Sequence, residues 1–392
     1  MTTASSKGTR VCNCVIPIYS IFVIDHDRDK LKRCAGCSLY QYCDRKCQVT
    51  DWKAYHKNGE CDFYRKLMTS SKKDVTDLFK WNHYASVLLR LFLLVKAKRD
   101  LMSLKFPLHD GGERSVNDLM DNEHDEDRSG MNPLKFHLIY SALSQIDNQL
   151  VPLSEFGILK SLFHKLRINS FSIDHMDERT GIGHAMYIHT SVFDHSCRSN
   201  AAYVFVGKRM QIRAMRDIRE GEEVTIHYVD IMETKDQRRD KLWKNWGFVC
   251  QCQRCQEDES EEERMELAAD KQFQNSLSPA NTSHLSERER NDVTFRELVR
   301  VLPFKEKYLG NFHPELTHIM YVAANAKCPD PDMSPQDRRD FVMLIDKLKQ
   351  AAVVTHGKEH EFYFMIPILR GTAGLSFEVV MLIRELLSAL CQ

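Results

Sequence analysis

The sequence predicts an α+β protein in which a small β-rich unit lies between two helical regions. Two dense groups of cysteines, in residues 12–61 and 250–255, have spacings typical of metal sites rather than of a disulfide framework. Apolar residues recur at three- and four-residue spacing in residues 74–101 and 135–171, which predicts helices. From about residue 186 the pattern changes to short β-branched and aromatic runs separated by turns, which predicts strands.

The composition excludes several classes of protein. Acidic and basic residues balance at 55 each over 392 residues, so no whole-molecule charge directs the chain to nucleic acid or to a membrane surface. The apolar run at residues 15–24 is too short to span a bilayer, and we expect no membrane association. Thirteen cysteines in a chain of this length predict a reducing compartment, nucleus or cytoplasm, where thiolates are kept for metal.

Turns and charge runs predict where the elements begin and end. In the β-rich unit we expect strands at MYIHTSVF, AAYVFVG, RMQIRAM and EVTIHYV, and a hairpin turn at Gly181-Ile182-Gly183. Residues 109–132 are expected to form a loop, and the charge run at 256–266 a solvated linker. The C-terminal helices should break at Gly310, at CPDPDMSP and at HGKEH.

The first cysteine group has enough ligands for two tetrahedral zinc sites. Its seven cysteines and one histidine are Cys12, Cys14, Cys34, Cys37, Cys43, Cys47, His56 and Cys61. A set of buried thiols is the alternative, but so short a segment buries little core, and bound metal would supply the missing stability. Seven Lys or Arg and two Asp between Lys30 and Lys57 give the segment a basic face. Such a face binds phosphates or an acidic partner in some proteins and is only a solvated surface in many others.

The second cysteine group, Cys250, Cys252 and Cys255, supplies three thiolates and leaves one corner of a zinc tetrahedron open. Outside the two groups only Cys197, Cys328 and Cys391 remain. Cys197 lies in FDHSCRSN beside His195, so a Cys–His nucleophile pair of a thiol hydrolase is a rival interpretation. Against it, neighbouring strand residues point to opposite faces.

Several motifs resemble one family of proteins. CAGCSLYQYCDRKCQVTDW resembles the MYND finger, and DHSC…GEEVTIHY…FVCQCQRC resembles the SET domain of protein-lysine methyltransferases. INSF (168–171), residues 213–230 and THGKEH (355–360) look like the combined SET-and-MYND (SMYD) family. The resemblance implies an α+β protein in which a small SET domain carries an inserted MYND finger and a helical linker. It also implies a zinc-clamped post-SET segment and a C-terminal all-α, tetratricopeptide-like domain.

The resemblance implies domain bounds and three zinc ions. The bounds are 12–61 for the finger, 62–170 for the helical insert, 171–249 for the core SET domain, 250–256 for the post-SET segment and 267–392 for the C-terminal domain. One zinc would be shared by Cys12, Cys14, Cys43 and Cys47, and a second by Cys34, Cys37, His56 and Cys61. Cys197 would join Cys250, Cys252 and Cys255 on the third. The chain departs from the family pattern in having one residue between Cys12 and Cys14 and four between His56 and Cys61.

The resemblance also assigns roles around a methyl-transfer site. Tyr228 matches the catalytic tyrosine that aligns the substrate amine. Binding of S-adenosyl-L-methionine is implied for Asn122, Asn169, Asp194, His195, Tyr228 and Phe248. Phe171 and Trp246 would line the lysine channel, and Gln48 and Trp52 a groove for proline-rich peptides. Asp194 stands where the family has asparagine, and Trp246 where it often has tyrosine. Each aromatic residue has core packing as its alternative role.

The resemblance therefore implies a protein-lysine N-methyltransferase that acts on histones or other proteins. The rival hypotheses are a non-catalytic zinc adaptor and a transcriptional regulator that contacts DNA through the basic finger. A chaperone-type partner is expected at the helical domain, and the protein is expected to be a monomer. The family begins with a glycine-rich segment that holds the methionine end of the cofactor, and MTTASSKGTRV does not resemble it. We expect this chain by itself to bind the cofactor weakly.

Overall fold

The structure, a computed structural model, describes residues 10–14, 18–21, 31–42, 44–81, 83–108, 111–121, 133–174, 181–206, 209–276, 279–327, 333–358, 360, 362–363 and 365–366. Cys43, Asn122, Cys328 and Cys391 lie outside these residues, and of Cys12 and Cys14 only the backbone is described. The chain forms two compact units. The finger unit comprises Cys14–Val192 and Lys241–Val249, and the trio unit comprises Met1–Asn13, Phe193–Asp240 and Cys250–Gln392.

The strands, in chain order, are β1 Arg10–Cys14, β2 Ile18–Ile21, β3 Lys32–Arg33, β4 Gln41–Tyr42, β5 Phe106–Pro107, β6 Glu113–Arg114, β7 Ser170–Asp174, β8 Gly181–Met186, β9 Ala201–Val206 and β10 Arg209–Ala214. The helices are α1 Arg45–Asp51, α2 Glu60–Thr69, α3 Lys73–Trp81, α4 His83–Ala97, α5 Pro133–Ile146, α6 Phe156–Asn169, α7 Lys235–Trp246, α8 Gln253–Gln256, α9 Glu261–Ser276, α10 Pro279–Thr282, α11 Glu287–Leu309, α12 Pro314–Lys327 and α13 Pro335–Thr355. None of these described helices has both the length and the apolar composition that a bilayer span needs.

In the finger unit the core forms around α4, whose sequence HYASVLLRLFLLVKA is apolar on nearly all sides. A helix of that kind is stable only when other elements surround it. Val87, Leu88 and Leu91 are fully buried, and α4 packs on β2, α6 and α2. Arg90 lies in the middle of this apolar run and is buried as well.

A three-stranded antiparallel sheet in the order β2-β8-β7 completes the finger unit. The prediction of a hairpin turn at Gly181-Ile182-Gly183 is wrong, because these residues begin β8. Gly183 pairs with Ile21 on one side and with Ile173 on the other, so it lies in the central strand. The prediction of a strand through MYIHTSVF holds only as far as Met186. Beyond it, Thr190 and Ser191 turn the chain by hydrogen bonds to Tyr187 O.

In the trio unit a second sheet, in the order β1-β10-β9, packs against α13. The helices α11, α12 and α13 pack on one another, and α11 ends at Gly310, whose positive φ of 76° is a backbone conformation that glycine adopts without strain. The charge run at 256–266 is not a simple linker, because α9 begins at Glu261. The carboxylate of Glu259 accepts hydrogen bonds from the backbone N–H of Lys235 at 2.8 and 3.0 Å.

The THGKEH motif caps α13 against the sheet. Arg213 of β10 donates hydrogen bonds to Val353 O at 3.1 Å and Val354 O at 2.9 Å, which satisfies carbonyls that the helix end leaves open. Gly357 has a φ of 86°, and a Cβ atom at this position would lie 3.0 Å from Nη1 of Arg213. The motif therefore requires glycine for both backbone conformation and space.

A half-buried and a buried histidine of the trio unit predict acid lability. The rings of His227 and His313 lie 4.8 Å apart, and burial lowers the pKa of His227 to about 4, against a smaller opposing effect of Asp230. Burial also holds the pKa of His313 well below its ordinary value. Because the folded-state pKa is depressed, the stabilisation is complete above pH ~6.5 and is lost as the pH falls towards 4.

We therefore expect the free energy of unfolding to fall by up to about 1.4 kcal/mol per pH unit for each such histidine below pH ~6.5. Urea unfolding between pH 7 and pH 5 measures this slope. The slope should be shallower in His227→Asn and unchanged in His137→Gln, since His137 is exposed. Equal slopes in wild type and His227→Asn would contradict the prediction.

Candidate functional site

In the finger unit four predicted ligands converge. The ligand atoms of Cys34, Cys37, His56 and Cys61, here called the Cys34 cluster, all lie within 4.8 Å of one another, and all four residues are buried. The Sγ atoms of Cys34 and Cys61 are 3.8 Å apart, and Sγ of Cys37 is 3.5 Å from Nε2 of His56. A tetrahedral zinc with Zn–S bonds of about 2.3 Å requires sulfur–sulfur separations of about 3.8 Å. The donor set and its spacing fit zinc.

A tight turn presents two of these cysteines. Backbone hydrogen bonds join Cys34 N to Tyr40 O and Ser38 N to Cys34 O, both at 2.8 Å, and Ser38 adopts a positive φ of 58°. Between the cysteines, Gly36 leaves space for the cluster, because a Cβ atom there would lie 2.7 Å from Sγ of Cys61. The glycine of CAGC therefore leaves room for Cys61, the fourth ligand of the cluster.

A buried ionic network contacts His56 on the side of its ring that faces away from the cluster. Its Nδ1 atom lies 2.8 Å from Oε2 of Glu60, which fixes the ring so that Nε2 faces the cluster. Arg90 donates to both oxygens of Glu60, at 2.9 and 2.7 Å, and through Nη1 to Asp51 at 2.8 Å. Burial opposes ionisation of Glu60, but the charge of Arg90 and the bond to His56 outweigh it and lower the Glu60 pKa to about 2.

Sequence reasoning did not find this network. The signals that would have found it are the i, i+4 spacing of His56 and Glu60 and the lone arginine inside VLLRLFLL. Arg90 is 3% exposed and Glu60 1% exposed, and a buried charge of either sign needs a partner. Metal ligands are usually hydrogen-bonded by such partners on the side away from the metal.

In the trio unit Cys197 lies with Cys250, Cys252 and Cys255. The four ligand atoms of this Cys197 cluster are within 4.8 Å of one another, and Sγ of Cys197 is 3.6 Å from Sγ of Cys255. Hydrogen bonds from the backbone N–H of Cys255 and Gln256 to Cys252 O fold the trio into a turn that begins α8. Four thiols in this arrangement fit a closed structural zinc site. None of the cysteines whose side chains are described forms a disulfide.

The segment around Cys197 crosses the GEEVTIHY segment. Ile226 donates its N–H to Asp194 O and accepts at its own carbonyl from Ser196 N, both at 3.0 Å. The prediction of a regular strand at EVTIHYV is wrong, because this single bridge is the only ladder pairing in the segment as described. Two further backbone N–H groups bond to side chains: Thr225 N donates to Oδ1 of Asn200 at 2.9 Å, and Tyr228 N to Nδ1 of His195 at 3.0 Å. The Thr225 carbonyl accepts from the backbone N–H of Ala201 at 3.1 Å.

Tyr228 is held by this crossing. Its hydroxyl donates to Phe193 O at 2.6 Å, and its ring lies 5.4 Å from that of His195. The crossing thus brings the predicted catalytic tyrosine next to two residues predicted to bind cofactor, Asp194 and His195. Asp194 is exposed, and burial lowers the pKa of His195 to about 4, so its imidazole is neutral at physiological pH.

The structure also bears on the thiol hydrolase. Nε2 of His195 is 3.3 Å from Sγ of Cys197, so the expectation that the two side chains point apart is wrong. The reason is that His195 and Cys197 are two positions apart, and side chains at i and i+2 of an extended segment lie on the same face. The hydrolase remains unsupported on another ground: Cys197 is 1% exposed and lies among three more thiols, where a substrate carbonyl has no access.

The other predicted site residues lie in the finger unit. Asn169, at the end of α6, donates through Nδ2 to Met120 O and Lys165 O, both at 2.8 Å. The indole of Trp246 donates to Ile168 O at 3.1 Å, which places it at the junction of α6 and β7. Phe171 of β7 contacts Tyr187 edge to face, with ring centres 6.4 Å apart, and Phe248 is half-buried.

Lys165 is a further residue that sequence reasoning did not single out. It is buried, and its ammonium group donates to Asn117 O at 3.1 Å and to Leu119 O at 2.7 Å. With Asn169 it fixes the segment that ends at Asp121. Asn122, the next residue and a predicted cofactor contact, lies outside the described residues.

On the outside of the finger unit, Trp52 is 43% exposed and Gln48 half-buried. Four residues apart on consecutive helical turns, they share one face.

The other expected zinc set involves Cys12, Cys14 and Cys43, whose side chains lie outside the described residues. Cys47, its fourth member, is half-buried on α1, and its N–H bonds to Oδ1 of Asp44 at 2.6 Å.

Comparisons with known proteins agree with this geometry. The family profile described as SET domain matches residues 3–229. The histone-lysine N-methyltransferase SMYD3 of Homo sapiens is 29% identical over 58% of this chain and 50% of its own length. The N-lysine methyltransferase SMYD2 of Mus musculus is 26% identical over 61% of this chain and 51% of its own length. The histone-lysine N-methyltransferase ASHR1 of Arabidopsis thaliana is 28% identical over 58% and 44%.

The chain thus spans about half the length of the relatives that it matches. The SET profile covers more than half of the chain, and it includes the crossing with Cys197 and Tyr228. The protein belongs to the SET-domain family, and its relatives identify it as a SMYD-type member of that family.

Proposed function

We propose that the protein is an S-adenosyl-L-methionine-dependent protein-lysine N-methyltransferase. The observation that carries the proposal is the crossing of residues 194–197 and 225–228, which fixes Tyr228 by its N–H and by its hydroxyl. The kinds of activity named for the relatives support it. Histones and other lysine-bearing proteins are the proposed substrate class.

The proposed chemistry needs an aligned, neutral amine. S-adenosyl-L-methionine supplies a methyl group on a positively charged sulfur. Lysine ordinarily titrates near 10.4, so the protein must favour its neutral form by desolvation. We assign Phe171 and Trp246 to the apolar channel that does so. The Tyr228 hydroxyl, whose proton is bound to Phe193 O, is the group that we propose to accept a hydrogen bond from the amine.

The remaining contacts are assigned by position. We propose that Asn169, Asp194, His195, Phe248 and Asn122 surround the cofactor. The amide hydrogens of Asn169 are engaged by two carbonyls, so its Oδ1 atom is the one left to accept from a ligand. Asp194, as a carboxylate, only accepts hydrogen bonds, and it therefore suits the cofactor's ammonium group.

We propose that zinc occupies the Cys34 and Cys197 clusters and that a third ion binds Cys12, Cys14, Cys43 and Cys47. In the first two clusters the role is structural, since four protein ligands leave no open coordination position. Zinc would hold the CAGC turn on α2 in the finger unit. In the trio unit it would hold residues 250–255 on the crossing segment.

The finger surface suggests binding partners. Asp51 and Glu60 point inward to Arg90, whereas six basic residues of the described finger are exposed: Lys32, Arg33, Arg45, Lys46, Lys53 and Lys57. We propose that Gln48 and Trp52 bind a proline-rich peptide, with the basic face as a second contact for an acidic partner or for nucleic acid. Binding to duplex DNA would fall steeply with salt, and binding to a proline-rich peptide would not.

We further propose that a chaperone-type partner binds at α11–α13. We also propose that the protein is a monomer and is located in the nucleus and cytoplasm.

Methyl transfer from radiolabelled S-adenosyl-L-methionine to histones and to lysine peptides tests the proposed activity. We expect Tyr228→Phe to lower kcat on the order of 100-fold with cofactor affinity nearly unchanged, because the hydroxyl acts mainly in the transition state. Tyr308→Phe is the matched control, since its hydroxyl donates at 2.5 Å to Glu266 on other helices. Equal turnover in wild type and Tyr228→Phe would show that the tyrosine is structural.

A further inference from the structure

The imidazole of His195 contacts two functional groups of the trio unit at once. Its Nδ1 atom accepts from the backbone N–H of Tyr228 at 3.0 Å, and its Nε2 atom lies 3.3 Å from Sγ of Cys197. His195 itself lies in the single bridge with Ile226. One side chain therefore joins a member of the Cys197 cluster to the predicted catalytic tyrosine.

The direction of these bonds follows from the chemistry of a neutral imidazole. A backbone N–H can only donate, so Nδ1 is the acceptor, and the ring proton resides on Nε2. That proton points at the Cys197 sulfur. A donor aimed at a sulfur is suited to the thiolate that a metal ion would bind, and it stabilises negative charge there.

We propose that His195 is a positioning residue that couples occupancy of the Cys197 metal site to the alignment of Tyr228. The inference rests on the proposed zinc site and the proposed role of Tyr228. Metal fixes the Cys197 sulfur, the sulfur fixes the ring through Nε2–H, and the ring fixes the Tyr228 backbone through Nδ1. The Tyr228 hydroxyl is then held by Phe193 O, so both ends of the residue are anchored within the crossing.

The same geometry separates this role from two others. A histidine that merely fills space would not need both nitrogens placed on partners of opposite type. A histidine that binds cofactor through its ring would need one nitrogen turned to the ligand, and here both point to protein atoms. Any contact of His195 with cofactor would therefore use its backbone.

Two substitutions of His195 each remove one of its two hydrogen bonds and keep the other. His195→Asn places an amide oxygen near the Nδ1 position, where it can accept from Tyr228 N–H, but it is too short to reach Cys197. His195→Gln places an amide N–H near the Nε2 position, where it can donate to Cys197, but it offers Tyr228 no acceptor. The two readouts are zinc release from the Cys197 cluster to a chromophoric chelator and hydrogen exchange of the Tyr228 amide.

We expect His195→Asn to release that zinc roughly 10- to 100-fold faster, the usual effect of losing a partner of a metal ligand, and to protect the Tyr228 amide equally with and without zinc, because its link to the Cys197 sulfur is lost. We expect His195→Gln to release zinc near the wild-type rate while the Tyr228 amide exchanges roughly tenfold faster or more. In the cobalt-substituted protein, the thiolate-to-metal absorption band should change in His195→Asn and stay unchanged in His195→Gln.

A third measurement uses the wild-type protein, so that it does not depend on the folding of a variant. Chelation of zinc should accelerate exchange at Tyr228 and leave the α13 amides of residues 341–352 unchanged. The inference is overturned if both variants change both readouts equally, if neither changes either, or if chelation leaves Tyr228 protected. A protein that passes these tests but transfers no methyl group would overturn only the proposed activity. Absence of zinc from the Cys197 cluster would overturn the metal assignment and this inference together.

Discussion

Replacement of Cys197 by serine is expected to remove one zinc ion from the protein and to release residues 250–255. The serine hydroxyl is a poor ligand at neutral pH, and the remaining trio of thiols cannot close the tetrahedron. Structural zinc contributes on the order of 10 kcal/mol to the folding of small zinc domains, so the effect should be among the largest for a single substitution. Metal analysis of the purified protein measures the loss, and proteolysis or hydrogen exchange at residues 250–255 measures the release.

Cys37→Ser is the matched control for that experiment. It should remove a different ion, from the Cys34 cluster, and leave residues 250–255 protected. Because the two clusters lie in different compact units, the two losses should be independent of each other. An unchanged zinc content in Cys197→Ser would contradict the assignment of the cluster.

Replacement of Arg90 by methionine is expected to lower the free energy of unfolding by about 3–5 kcal/mol. The substitution leaves the Glu60 carboxylate, 1% exposed, without its charge partner, and it removes the bonds to Asp51. Methionine fits the apolar surroundings of α4, so the loss reports the uncompensated charge rather than a cavity. Urea unfolding of the zinc-loaded protein gives the measurement.

Two further variants make the Arg90 result interpretable. Arg65→Met removes an ion pair to Asp62 in which both side chains are more than half exposed, and it should change stability little. The double variant Arg90→Met with Glu60→Gln should recover part of the loss, because the second change removes the orphaned charge. A loss in Arg90→Met no larger than that in Arg65→Met would show that the network is not held by charge.

The metal ligands were the part of the site that sequence could predict. Cys34, Cys37, His56 and Cys61 have a spacing that chemistry restricts, and the structure brings their ligand atoms together. The assignment of Cys197 to the trio came from a resemblance, since Cys328 and Cys391 were equally available by count. Local spacing cannot reveal which distant residue closes a site, because that depends on tertiary contacts.

The elements that were mispredicted share a physical cause. EVTIHYV has the alternating pattern of a strand, yet the N–H groups of Thr225 and Tyr228 bond to side chains of Asn200 and His195, which no propensity scale includes. The charge run at 256–266 is largely exposed, as predicted, but it is not a linker, because α9 begins at Glu261 and Glu259 is bonded to the start of α7. In both cases a polar side chain distant in the sequence replaced the expected local partner. Arg90 and Lys165 were missed for the same reason, since their partners are 30 or more positions away.

The crossing at Ile226 has a consequence for the synthesis of the chain. On the ribosome, residues 194–200 emerge first, the segment that crosses them follows, and the cysteine trio at 250–255 comes last. Vectorial synthesis therefore lets the crossing form while the segment that clamps it is still absent. Refolding from denaturant offers no such order, because all four thiols meet metal at the same moment. We therefore expect slower recovery of the native crossing on refolding of the full-length chain than during its synthesis.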